Sequence, residues 1–341
     1  MTAAPAAGWE KRLAWSGGVA ILAALFAVPF VAPSYYLHLL TLTFAYGIMA
    51  MSLDLLVGYT GLSSLGHAAY FGVAGYMVGV LSTRYGLAFW PTAGLAVLGA
   101  AAVAAVFGLL AIRAAGAYFL IITLALGQII WGLAYRWVSM TGGDNGLRGI
   151  PRPVLGLGIR LGQIQTFYYF ALAVAVAAAG SMYLLTISPF GLSLRGIRES
   201  ESRMRVLGYD VWRHKYLVFV IAGAFCGVGG VVYAYYNGFV SPADVHLVAS
   251  ANALLMVILG GAGTLFGPMI GSALLVFLQN LLSGITQRWL TLLGIILVLA
   301  VLYAPGGIVG AGQTLSRRHR PSAGPRDVAA PAAEQKPATG P

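Results

Sequence analysis

S-P-F-G-L-S-L-R-G-I-R-E-S-E-S-R-M-R-V-L-G-Y-D-V-W-R-H-K, residues 188–215, is the one strongly charged island in a chain that is otherwise apolar. Arg195, Arg198, Glu199, Glu201, Arg203, Arg205, Asp210, Arg213 and Lys215 crowd into it, and apolar runs of membrane-spanning length flank it on both sides. Ser188 is placed to cap a helix that Pro189 opens, and Gly208 to end it in a left-handed conformation, which frames about five turns. Leu194, Ile197, Met204 and Leu207 form an apolar row on that helix, interrupted by Glu201, while Arg195, Arg198, Glu199, Ser202, Arg203 and Arg205 take the other face. The i,i+4 pairs Glu199 with Arg203 and Glu201 with Arg205 contribute only roughly 0.2–0.5 kcal/mol each. Composition alone describes a solvated loop helix; the apolar row leaves docking against a partner open.

Working outward, the 341 residues are 59% apolar and 9% charged, with a mean hydropathy of +0.84. This excludes a soluble globular protein and predicts an all-α, polytopic integral membrane protein. Spans are expected at about residues 14–32, 37–57, 62–83, 90–112, 116–137, 166–187, 216–237, 247–263, 268–285 and 289–305, ten in all. Lys11 and Arg12 ahead of the run 13–32 resemble a signal sequence, but no small-residue cleavage site follows, so the run reads as an uncleaved first span.

With the N-terminus in the cytoplasm, fourteen of the twenty Lys and Arg fall inside and six outside. The positive-inside rule therefore favours both termini inside and a cytoplasmic island. The expected organisation is a cytoplasmic N-terminus (1–13), a single transmembrane domain (14–311) with an external loop at 139–165 and the cytoplasmic segment 188–215, and a disordered cytoplasmic tail (312–341). The +11 charge is topological and does not form a nucleic-acid groove. Cys226 lies in an apolar run and reads as a small core residue.

Two glycine-rich breaks interrupt the spans. G-Y-T-G-L-S-S-L-G-H, from Gly58 to His67, is either a tight turn or unwound backbone at membrane depth, and G-G-A-G-T-L-F-G-P, from Gly260 to Pro268, is its loose counterpart in the second half. Asp54 is the one acidic residue inside an expected span. It reads either as a proton or cation site, or as a group bonding the broken backbone at 58–61. Gly58, Gly61, Ser63, Ser64, His67 and Gln128 complete a candidate translocation pathway, with His67 and Gln128 also fitting interhelical hydrogen bonds. No zinc-type Cys/His spacing, no nucleophile elbow and no G-x-x-x-x-G-K-[ST] loop is present, so the chain reads as a non-enzyme without cofactors or metal of its own; ATP, if used, binds elsewhere.

Five stretches in order resemble one family: G-Y-T-G-L-S-S-L-G-H-A-A-Y-F-G-V-A-G-Y (58–76), T-G-G-D-N-G-L-R-G-I-P (141–151), S-P-F-G-L-S-L-R-G-I-R-E-S with M-R-V-L-G (188–208), V-I-L-G-G-A-G-T-L-F-G-P (257–268) and A-P-G-G-I-V-G (304–310). They resemble the LivM-type permeases of branched-chain amino acid ABC importers. The resemblance implies that the island docks into a partner ATPase through Arg195, Arg198, Glu199, Glu201 and Gly208. It also implies a second permease subunit in a heterodimer, two ATPase subunits that carry ATP and Mg, a periplasmic substrate-binding protein facing the loop around Asp144–Pro151, and a multi-pass location in the bacterial inner membrane. Asp54 stands where the family suggests an uncharged residue such as Asn. Urea, short amides or aromatic acids as cargo, or an ion-coupled transporter using Asp54, are the alternatives.

Overall fold

Helices shape the chain because apolar residues fill long runs in which only intrasegment hydrogen bonds satisfy the backbone. The computed structural model describes residues 8–155, 161–288, 291–296, 298 and 307. In chain order the helices are α1 (Gly8–Val31), α2 (Ser34–Thr60), α3 (His67–Thr83), α4 (Phe89–Ala111), α5 (Ala117–Arg136), α6 (Val138–Thr141), α7 (Ile164–Ile187), α8 (Pro189–Glu199), α9 (Glu201–Val206), α10 (Val211–Asn237), α11 (Leu247–Gly260) and α12 (Gly267–Ile285). Two short strands, β1 (Leu147–Arg148) and β2 (Phe239–Val240), pair antiparallel, with Leu147 opposite Val240.

Six helices among the described residues, α2, α4, α5, α7, α10 and α12, are long and apolar enough to cross a membrane. The other expected spans differ. α1 has an apolar stretch over Gly17–Val31, α3 has 17 residues, and α11 has 14 and so rises only about 21 Å. α3 starts at His67, not near residue 62, because the Gly/Ser segment before it stays unwound. The tenth expected span, 289–305, falls largely outside the described residues, as does the tail.

α2 and α10 form the centre: 78% and 67% of their apolar stretches are buried, against 28–39% for the other four spans. Small residues allow this. A Cβ at Gly223 would stand 2.3 Å from the Ala104 Cβ, and one at Gly230 would stand 2.1 Å from the Phe71 carbonyl oxygen, so α10 packs backbone-close on α4 and α3.

The island is not one helix. Ser188 caps α8 by accepting from the Gly191 amide, Pro189 occupies its first turn, and Gly208 takes φ +86°, all as the sequence predicts. At Ser200 the backbone becomes extended (φ −163°, ψ 103°), and its hydroxyl caps a second helix, α9, by accepting from the Arg203 amide. The break removes the Glu199–Arg203 register, and among the described residues Glu199 has no ion pair; Glu201–Arg205 forms at 3.4 Å. Leu194, Ile197 and Met204 are buried, the last two packing with Val211, whereas Leu207 lies beyond the end of α9 and is 65% exposed.

Candidate functional site

At one end of the bundle α2 runs out. Gly61, at φ +74°, turns its amide back to the Leu56 carbonyl, which leaves the final carbonyls of α2 without intrahelical partners. Arg198, from α8, donates its guanidinium to the Gly58 carbonyl, and Arg195 stands over the Tyr59 ring at 5.0 Å. A cation is favoured at a helix C-terminus by the same orphan carbonyls.

One turn earlier Asp54, with 0% exposure, reaches the other glycine break. Its Oδ1 accepts the Gly263 amide at 2.7 Å and its Oδ2 the Leu265 amide at 3.1 Å. The spacing pairs Asp54 with the backbone at 58–61; the carboxylate lies against Gly58 but takes its amides from residues 263 and 265, where Leu265 sits at φ +56°. A Cβ on Gly58 would come within 2.2 Å of both the Gly263 nitrogen and the Asp54 Oδ1, and Gly263 itself has φ +85°. Both breaks and the charged segment thus meet at one point, which places all three at the same end of the bundle.

The first break does not simply turn. Residues 61–66 fold back into the bundle: the Leu65 amide donates to Thr123 Oγ1 and the Ala68 amide to Ser250 Oγ. Thr123 lies six residues into α5, about 9 Å from its start. The unwound backbone is therefore buried in protein, the circumstance in which it is tolerated at membrane depth. Ser64 and His67 are fully buried, Ser63 is half-buried and Gly61 is exposed. His67 Nε2 meets Ser52 Oγ at 2.9 Å; because that hydroxyl donates to the Met49 carbonyl, the ring nitrogen is the donor. Gln128 is half-buried and makes no hydrogen bond among the described residues, so it does not supply the expected interhelical link.

Glu201 is tied inward: it pairs with Lys215, whose side chain is 7% exposed, as well as with Arg205. Arg203, Arg205, Val206, Leu207 and Gly208 face outward.

The opposite end carries a cleft of about 480 Å³ that the sequence reading did not find. Its walls are Tyr46 and Met49 of α2, Phe71 of α3, Trp131 and Tyr135 of α5, Asp144 of the 139–165 loop, Pro242, Ala243, Asp244 and His246, and Val248, Ala249 and Asn252 of α11. The loop is held in place by β1–β2 pairing, by Arg148 over the Phe239 ring, and by Arg84 donating to the Met140 carbonyl. Asp244 Oδ1 accepts from the Tyr233 hydroxyl at 2.7 Å and Oδ2 from the Ser241 amide at 2.7 Å. Burial pushes the Asp244 carboxyl up from the ordinary aspartate range, and these hydrogen bonds oppose the rise. The only signal for it in the sequence was S-P-A-D-V-H at 241–246, a lone acid between two apolar runs. Among the described residues no cluster of three or more His, Cys, Asp or Glu could hold a metal.

Residues 35–302 match the family model described as branched-chain amino acid transport system / permease component. The LivM high-affinity branched-chain amino acid permease protein of Escherichia coli K12 is 32% identical over 313 residues, covering 85% of this chain and 74% of the relative. The LivH permease protein of the same strain is 30% identical over 136 residues, 38% of this chain and 44% of its own length. The guanosine ABC transporter permease protein NupQ of Bacillus subtilis is 30% identical over 195 residues, 46% and 61% respectively. No solved structure matches.

Proposed function

The chain belongs to the branched-chain amino acid transport permease family, and from that premise we propose that it is one permease subunit of an ATP-binding-cassette importer for branched-chain or related amino acids. It is a multi-pass membrane protein; the bacterial inner membrane, with residues 188–215 on the cytoplasmic side, is the location that fits the distribution of Lys and Arg. A second permease subunit completes the path, two ATPase subunits bind ATP and Mg, and a periplasmic binding protein delivers substrate at the end that bears the 139–165 loop. The similarity to both LivM and LivH supports a pair of unlike permeases.

One observation carries the coupling assignment. α8 and α9 present a charged and apolar outer surface, with Val206 88% and Leu207 65% exposed, while the inner side of α8 reaches the α2 terminus through Arg198 and Arg195. A push on this segment when the ATPases close is delivered to α2, the most buried span, and through Asp54 to the loop before α12. Such a link between two packed arrangements is what alternating access needs.

The test is Arg198→Glu in the assembled transporter, reading ATPase association and ATP-driven amino acid uptake. Loss of uptake is expected; wild-type values for both would sink the assignment. The ion-coupled alternative through Asp54 has less support, because both carboxylate oxygens are taken by amides and the group does not reach the cleft. The NupQ similarity favours a second reading for cargo, a nucleoside, which uptake of labelled guanosine against labelled leucine decides.

A further inference from the structure

The cleft at the loop end has a chemistry of its own. Its volume of about 480 Å³ falls in the range of roughly 300–1,000 Å³ typical of small-molecule sites. Two carboxylates, Asp144 and Asp244, line it, and among the described residues no lysine or arginine does. Around them stand aromatic faces: Trp131 stacks on Tyr135 at 5.4 Å, His246 meets the Trp131 ring edge-on at 5.6 Å, and Tyr46 packs against Phe71 and Tyr233. Asp244 lines the same cleft: its Oδ2 takes both the amide and the hydroxyl of Ser241, and Oδ1 keeps one lone pair after the Tyr233 hydroxyl. Carboxylate beside aromatic faces is the arrangement that attracts an ammonium group.

The rest of the cleft suits what such a ligand carries. Val248 and Ala249 bring the first turn of the 14-residue α11 to the wall, the end of a helix that favours a carboxylate. Met49 and Phe71 close the floor with apolar surface, and one turn further along α2 Ser52 is already occupied by His67. We propose that this cleft is a recognition subsite for the α-ammonium group of an apolar amino acid, with Asp244 as the group that binds it; this rests on the amino acid importer reading above. It gives the permease a selective step of its own, beyond that of the binding protein.

Cys226, the chain's single cysteine, is 0% exposed, so a cysteine placed at the exposed cleft residue Ala243 is this chain's one thiol open to a membrane-impermeant reagent, and labelling is read on this subunit. In the assembled transporter carrying Ala243→Cys, L-leucine is expected to slow labelling several-fold and 4-methylpentanoate, which lacks the amine, to leave it unchanged. Adding Asp244→Asn is expected to abolish the protection by leucine. Asn keeps one acceptor, for the Tyr233 hydroxyl or the Ser241 amide, and an unchanged elution profile shows that the turn still folds.

Equal protection by both compounds, protection that survives Asp244→Asn, or no protection by leucine overturns the subsite. The importer reading is judged separately, by ATP-driven leucine uptake in the same vesicles: uptake with no amine-dependent protection removes the subsite alone. Uptake and protection by guanosine in place of leucine remove both.

Discussion

Asp54 and Asp244 are both carboxylates next to aromatic or glycine-rich elements of the same bundle, yet their surroundings are opposite. Asp54 has each oxygen filled by a backbone amide from a loop more than two hundred residues away, and no exposure. Asp244 is held by its own turn and by Tyr233, and it faces a cleft. A buried charge persists only where hydrogen bonds hold it, and with both oxygens bonded and no exposure Asp54 is part of the frame. A carboxylate at the edge of a cavity is available to a ligand. Position near a span marks neither role, nor does the number of partners, three for Asp244 and two for Asp54; access to the cleft does.

The largest test of the frame is at Gly58. A side chain there must displace both Asp54 and the Gly263 backbone, and forcing extra atoms into a packed core costs typically about 1–3 kcal/mol and sometimes more. Gly58→Val is expected to abolish assembly, whereas Gly180→Val in α7, where nothing lies within 4 Å, should leave assembly intact. Elution profiles of the purified transporter decide it, and indistinguishable profiles would break the idea of a shared junction.

Next comes the contrast of the two acids themselves. Asp54→Asn keeps one acceptor and points an NH₂ group at an amide that then lacks a partner, a cost of roughly 1–3 kcal/mol for a buried unsatisfied donor. Asp244→Asn should shift the melting temperature less, and its main effect should fall on substrate discrimination. If the two variants melt alike and discriminate alike, the division between frame and cleft fails. If Asp54→Asn stops uptake without lowering the melting temperature, the carboxylate carries an ion after all.

Which of this was legible in the sequence follows from the range of the interactions. The helical membrane class, the Ser188–Pro189 start, the turn at Gly208 and the close-packing glycines of α10 all rest on local pattern or on a single residue's conformational freedom, and the structure shows them. The break at Ser200 was missed because its hydroxyl competes with helix continuation, a contest that spacing does not reveal. Asp54 was paired with the nearer glycine break because chain distance was the only guide; contact with Gly263 spans the fold. The cleft draws its walls from six segments, so no stretch of sequence announces it.

Within the coupling segment, burial separates two pairs that look alike on paper. Glu201 binds Lys215, which is almost buried, and Arg205, whose side chain is 68% exposed. Glu201→Gln strands a buried ammonium; because Glu201 is itself 40% exposed, a loss of about 1–3 kcal/mol is expected, below the 3–5 kcal/mol of a fully buried pair. Arg205→Ala should cost no more than roughly 1 kcal/mol, as for other exposed pairs. Thermal melting of the two variants checks the order, and a larger loss for Arg205→Ala would show that the outer pair holds α9.

The smallest effect is a pH dependence confined to the cleft. Burial raises the Asp244 carboxyl, so as pH falls its charge is lost at a higher pH than an ordinary aspartate would lose it. Amine-dependent protection should weaken along with it and return when pH is raised. The other titratable groups around Asp244 are Tyr46 of α2, Tyr76 of α3, Tyr233 of α10, Asp144 and His246. The tyrosines stay neutral throughout the acid range, so the measurement needs only His246 and Asp144 removed. His246→Asn keeps an oxygen to cap α11, where the imidazole now accepts the Val248 amide, and Asp144→Asn removes the exposed loop's one carboxylate. In that background leucine protection of the Ala243→Cys thiol should still fall with acidification. A flat profile would mean that Asp244 does not meet the ammonium, and that the loop end is as closed to ligand as the junction at Asp54.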